Sequence, residues 1–468
     1  MSKLKAGFAR VNINPDLGTP IAGYYIPRVA KGFLDDLQAA ALALKLEEIC
    51  ILLISIDACN LRKELSDEFR DHVEAVTGIP ASHVVICATH THTGPINNLE
   101  QLKRNPAGAA GPLETLPGYE AVAKYVDFLK RRVADVAVMA LTDLKNANMG
   151  FIQGWAPERI AYIRRYKMKD GSTMTCPPIG DPNIDHPIGQ LDQRVHVLRF
   201  DRDGGDTVVL VNYGLHADTV NGELISSDFP GWMRRTVEAV IPSTKCIFFN
   251  GAEGDVGSTH VFPTGGDMND TEISFDNEMK SPGMARFVGR ALAGTVLQVY
   301  DKVEYVPVEK LQVRHKTVTV PANIPDPEDM PLARKYKQLH DAGRDDLIPY
   351  KAMELTTVVA EAARMCRLEH GPQTFDLVLT GIRIGDVALV GIPGEPFTDI
   401  GVQIKATEGW QAILPCCLTN GTQGYFPMQS AFDEGGYEAR SSNYKPGVAE
   451  AIIAGAKELL KEMKGESL

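Results

Sequence analysis

No apolar run in this chain approaches the length needed to cross a bilayer. The first residues, Met1-Ser2-Lys3-Leu4-Lys5-Ala6-Gly7, lack the apolar stretch of an export signal. There is no C-x-x-C pair. The eight cysteines, at 50, 59, 87, 176, 246, 366, 416 and 417, are scattered, several of them inside strand-like apolar runs. That pattern argues for reduced core thiols in a cytoplasmic protein rather than a disulfide framework. An excess of positive charge is missing too. The net charge is −12, which leaves no electrostatic footprint for nucleic acid or an anionic membrane. H-E-x-x-H, the P-loop, G-x-S-x-G and G-x-G-x-x-G are all absent. Their absence removes the commonest zincin, nucleotide, serine-hydrolase and dinucleotide readings. Internal repeats and low-complexity segments are absent as well.

What is present is an ordinary globular composition, 44% hydrophobic and 23% charged over 468 residues. The expected architecture is α/β: layered sheets sandwiched by helices, in a single catalytic domain spanning 1–468. Strand-like runs occur at 5–12, 48–56, 84–88, 195–200, 207–213, 246–250, 377–384 and 387–392. Helical spacing marks 65–76, 119–141, 282–300 and 448–463, and Ser226-Ser227-Asp228-Phe229-Pro230 reads as the start of a further helix to about 240. Residues 38–46 are rich in alanine and leucine. The segment 321–371 opens with several prolines and continues charged and helix-prone, as a helical insertion would. A glycine- and proline-containing loop at 97–118 has the character of a loop that shapes substrate access.

The chemistry gathers at strand ends. Thr89-His90-Thr91-His92-Thr93-Gly94-Pro95 follows the apolar run Val84-Val85-Ile86-Cys87-Ala88. Strand alternation would send His90 and His92 to one face. One imidazole can hold a metal while its neighbour carries protons. His216 lies just past another strand. Gly251-Ala252-Glu253-Gly254-Asp255 turns after a third, and Glu395 follows a fourth. Two imidazoles and a carboxylate are a sound set of ligands for a catalytic zinc, with room for water or substrate. Asp57 reads as a strand-end acid near the site or as a helix cap. Asp228 reads equally as a helix cap or as a support for the ligands. His83, His196, His260, His315, His340 and His370 read as surface or satisfied core histidines, and His186, in the 176–192 loop, reads as another of these, with lining of the pocket as the alternative.

In order, Ala6-Gly7-Phe8-Ala9-Arg10, the Gly32–Leu37 segment, Thr89–Pro95, His216 with Ile225-Ser226-Ser227-Asp228, Gly254-Asp255-Val256, Gly394-Glu395, and Gly424-Tyr425 twelve residues before Tyr437-Glu438 resemble the catalytic region of the neutral (non-lysosomal) ceramidases, a family of zinc amidohydrolases. The resemblance implies Zn2+ held by His90, His216, Glu395 and Tyr425. It implies His92 and Tyr437 beside the metal as proton-handling and oxyanion-stabilising groups, and an arginine near the substrate, Arg164 or Arg165. Gly257 stands where the ceramidases carry a serine, so the substrate expected is a small N-acyl compound rather than ceramide. The expected activity is zinc-dependent cleavage of an amide bond. An esterase or lactonase on the same site, a true ceramidase and a non-catalytic zinc-containing binding protein are the alternatives. A small-molecule substrate is the partner expected, with no nucleic acid and no membrane insertion.

Overall fold

Residues 3–104 and 113–465 are described by the computed structural model of the chain. Of the 97–118 loop, the middle therefore lies outside the described residues.

Four strands form the first half of a long sheet: β1 (Lys5–Asn12), β2 (Gln38–Leu46), β3 (Ile49–Ile56) and β4 (Val84–Ala88). A second half contains β5 (Lys145–Trp155), β6 (Arg194–Arg202), β7 (Thr207–Tyr213) and β8 (Thr244–Asn250). The strands run β8-β7-β6-β5-β1-β2-β3-β4, and the halves join where Lys5 and Ala6 pair with Asn146 and Lys145. A separate sheet is built from β9 (Leu311–Pro321), β10 (Thr374–Ile384), β11 (Val387–Gly391) and β12 (Ala412–Cys416). Its β10–β11 pair is the hairpin across Gly385-Asp386 that the sequence suggests.

Side chains from all three sheet surfaces share one apolar core, including Leu42, Leu53, Leu210, Phe249, Leu389 and Leu414. The opposite faces carry helices. On the first half lie α1 (Lys63–Thr77) and α2 (Tyr119–Thr142), and on the second α3 (Asp228–Val240) and α4 (Pro282–Val299). Between β9 and β10 the chain forms α5 (Met330–Asp341) and α6 (Ala352–Leu368). The third sheet is covered by α7 (Thr398–Lys405) and, after the short α8 (Gln429–Glu434) and α9 (Tyr437–Ser441), by α10 (Val448–Lys464). Alternating sides of a strand are thus both dry, which is why so many of these runs are continuously apolar.

The alanine-rich 38–46 segment is a central strand, paired with β1 and β3. Alanine is a weak strand former, but here it lets α2 pack against the sheet: Ala39, Ala41 and Ala43 share a core with Val133 and Ala137.

One parallel pair lies in each of the three strand groups: β3 with β4, β7 with β8, and β11 with β12. In α/β sheets ligands bind beyond the carboxyl ends of such strands. The residues that follow these ends converge on one place.

Candidate metal centre

β4 is followed by His90 and His92, β7 by His216, β8 by Glu253 and β11 by Glu395. The two histidines lie past the end of their strand, and His90 has a positive φ of 75°. Strand alternation is therefore not what brings the two imidazoles together. A left-handed turn does, a conformation in which histidine is several-fold enriched among non-glycine residues. It is pinned by bonds from Thr89 N to Ile56 O and from His90 N to Ala58 O, both 2.9 Å.

Glu395 Oε2 lies 3.4 Å from His90 Nε2 and 3.4 Å from His216 Nε2. The Tyr425 hydroxyl is 3.4 Å from His216 Nε2. A tetrahedron with metal–ligand bonds of about 2.0–2.1 Å has edges of about 3.3–3.4 Å. Glu395 Oε2 is buried and has no hydrogen-bond partner among the described residues, an orphaned acceptor where a cation would sit. The donor set and its spacing fit a divalent ion of zinc's size.

Each candidate imidazole is oriented from behind. His90 Nδ1 is 2.6 Å from the Cys59 carbonyl, and His216 Nδ1 is 2.9 Å from the Glu253 carbonyl and against the Glu253 carboxylate. Carbonyl acceptors at Nδ1 require N–H there and leave the Nε2 lone pair for a metal. Glu253, fully buried, also belongs to the group of ligand atoms formed with His90, His216 and Glu395. His92 is not a member of that group, although its Nε2 lies 3.3 Å from His90 Nε2.

The electrostatics ask for positive charge. Burial would lower His90, but Glu395 and Glu253 outweigh it and hold its pKa well above the usual range. Burial would raise Glu395, yet His90 and His216 hold it well below the usual carboxylate range. His92 goes the other way: burial, then His90 and His216, keep it well below 6.5, hence neutral. Burial and Glu395 hold the Tyr425 hydroxyl well above its ordinary value, a bias that a bound divalent ion reverses.

Arg164, not Arg165, faces this centre. Its Nη2 donates to the Tyr425 hydroxyl at 3.2 Å and to Gly254 O at 3.0 Å, while Nε holds Glu438 at 2.7 Å. The Arg165 guanidinium turns toward Glu434 and the Gly435 carbonyl, each at 3.0 Å. Tyr437 starts α9, its ring 5.5 Å from that of Tyr425, and its hydroxyl makes no hydrogen bond among the described residues. Gly254 allows the close approach of this wall, since a Cβ there would lie 2.6 Å from Glu395 O.

Other assignments change. Asp57 is a strand-end acid beside the site, accepting from Thr89 Oγ1 at 3.2 Å next to His90, and it is not a helix cap. Arg234 of α3 grips it with two bonds, at 3.0 and 2.6 Å, and Arg62 caps α1 instead. Asp228 accepts from Thr219 N at 2.9 Å and Val220 N at 3.1 Å, bracing the loop that carries His216. His340 is buried with Nδ1 2.9 Å from Asp345, and its ring lies 6.2 Å from that of Tyr25. Sequence reasoning gave no role to Glu253, Cys59, Asp218, Tyr24 or Lys280. The strand-end rule, applied to β8 as to its neighbours, would have found Glu253. No comparable signal marks the others.

No protein-family model matches the chain, and no curated protein matches its sequence. Solved structures do match in fold. Neutral ceramidase from Pseudomonas aeruginosa superposes with a TM-score of 0.71 and 15% identity, over 100% of this chain and 76% of that one. A structure described as ceramidase complexed with C2 gives 0.71 and 15%, over 99% and 76%. The chain has a neutral ceramidase-like fold.

Proposed function

We propose that the chain is a zinc-dependent amidohydrolase that cleaves the amide bond of a small N-acyl compound. The observation that carries this is the buried, orphaned Glu395 Oε2, 3.4 Å from both imidazole Nε2 atoms at the carboxyl ends of parallel strands. His90, His216, Glu395 and Tyr425 would hold the ion. A zinc ion supplies Lewis acidity, polarising a carbonyl and making a nucleophile of water near neutral pH.

The chain's own residues do the rest. Attack by water on an amide carbonyl requires one proton to leave the water and one to reach the departing nitrogen. His92, neutral and beside the ligands, is placed to take the first and deliver the second. The uncommitted Tyr437 hydroxyl is the donor for the carbonyl oxygen as it becomes anionic. Arg164 fixes the Tyr425 hydroxyl and, through Glu438, the start of α9. The ceramidase-like fold supports an amide over an ester or lactone.

No helix among the described residues is long and apolar enough to cross a membrane. All eight cysteines are free, which supports placement in the reducing cytoplasm.

The test is elemental analysis of protein purified without added metal, followed by a screen of short N-acyl amines, esters and lactones with native and chelated protein. About one zinc per chain and chelator-sensitive amide cleavage are expected. Full activity in metal-free protein would end the metallohydrolase reading.

A further inference from the structure

Beside His92 lies a buried charged cluster that the chemistry above does not use. Lys280, 1% exposed, donates to Tyr24 Oη and Asp218 Oδ2 at 2.7 Å, and to Asp276 at 2.9 Å. Glu278 lies 3.0 Å from the same ammonium. These three carboxylates form a group that could hold a metal, but the Lys280 ammonium already occupies it. Asp218 Oδ1 accepts from the Tyr24 hydroxyl. Its remaining neighbour is His92, whose Nδ1 lies 3.4 Å from Asp218 Oδ2. That Nδ1 is buried and has no other partner among the described residues.

We infer that Asp218 is the positioning residue for His92, holding it as the tautomer with the proton on Nδ1 and a bare Nε2 on the side of the candidate metal ligands, 3.3 Å from His90 Nε2. The inference rests on the hydrolase reading for its consequence, but not for its geometry. Tyr24 and Lys280 both donate to Asp218, so the carboxylate is fixed as an acceptor. An Nδ1 lone pair facing it would oppose two acceptors in a dry place, which is costly. A hydrogen on Nδ1 removes that opposition. A neutral imidazole carries one hydrogen, so Nε2 is left unprotonated. The backbone of His92 is held as well. Arg28 Nη2 donates to His92 O at 2.8 Å, and a Cβ on Gly23 would lie 2.8 Å from His92 Cβ, so that the two backbone segments pack in direct contact.

The order of proton transfer follows. His92 begins as a base. Nε2 takes a proton as the water oxygen bonds to the carbonyl carbon, and the same proton passes to the nitrogen as the C–N bond breaks. Water and amide become acid and amine, and His92 returns to its starting tautomer.

Nitrogen NMR of the zinc-loaded, histidine-labelled protein reads the tautomer directly, with His92→Asn used to assign the signal. A hydrogen on Nδ1 is expected, and a hydrogen on Nε2 would overturn the inference. Asp218→Asn should lower kcat about ten- to a hundred-fold, with KM and zinc content close to wild type. Asp218→Glu, which keeps the acceptor, should recover part of the loss. Unchanged kcat in Asp218→Asn would equally overturn it. The spectrum requires no substrate, so an inactive wild type would count against the hydrolase reading while the tautomer still decides this one.

Discussion

A free hydroxyl on a fixed ring makes Tyr437→Phe an informative single change. No hydrogen bond among the described residues is lost, so the melting temperature and zinc content should hold. Turnover should fall about a hundred- to a thousand-fold, as when an oxyanion donor is removed. Wild-type turnover in Tyr437→Phe would leave the tyrosine as packing only. The histidines divide by their neighbours. His90→Ala and His216→Ala should each empty the metal site, because each removes an edge of the tetrahedron around Glu395. His92→Ala should keep the metal and lose turnover, and metal analysis beside rate measurement separates the cases. The three histidines were legible at their strand ends, whereas Tyr437, at the start of α9, was named only through the family resemblance. The choice between Arg164 and Arg165 was not legible, since adjacent residues differ only in which side of the chain they leave. The packing of Glu438 and Tyr425 makes that choice.

Between elements, two ion pairs, one fully buried and one partly buried, tie helices to sheets. Asp57, at the end of β3, is fully buried against Arg234 of α3. Asp57→Asn leaves the guanidinium without its charge partner and should cost about 3–5 kcal/mol in denaturant unfolding. Asp192, just before β6, bonds Arg194 at 2.6 Å and Lys405 of α7 at 2.9 Å. Burial pushes its pKa up, but those two cations bring it down to about 2. Its unfolded value is about 3.9, so the pair stabilises above that pH by about 2 kcal/mol. That stability is lost as pH falls through about 2. Asp192→Asn should therefore be less stable at neutral pH and converge on wild type near the acid end, in a pH series of thermal melts. Parallel curves across the range would refute the linkage. Most strands follow from continuous apolar runs and most helices from the period-3.6 pattern; β2 departs from this, helix-like in composition because its alanines face a close-packed helix.

For the whole molecule, the candidate metal site is a junction. His90, His216 and Glu395 follow strands of three sheet surfaces that share one core. A ligand that binds only the folded state stabilises by about 4 kcal/mol at a thousand times its dissociation constant. Chelation should thus lower the melting temperature of the entire chain, and added zinc should restore it. A melting curve indifferent to chelator would mean that the junction stands without an ion.

The sequence by itself determined the strands and helices, the α/β class, and the residue types waiting at the strand ends, because burial on a periodic element imprints a local pattern. Only the tertiary structure decided what those ends meet. The left-handed turn at His90, the grip of Arg234 on Asp57, the Glu253 carboxylate behind His216 and the Lys280–Asp218 contact beside His92 join segments far apart in the chain. Such contacts depend on how sheets pack against a shared core, and no local periodicity encodes the packing of one sheet against another.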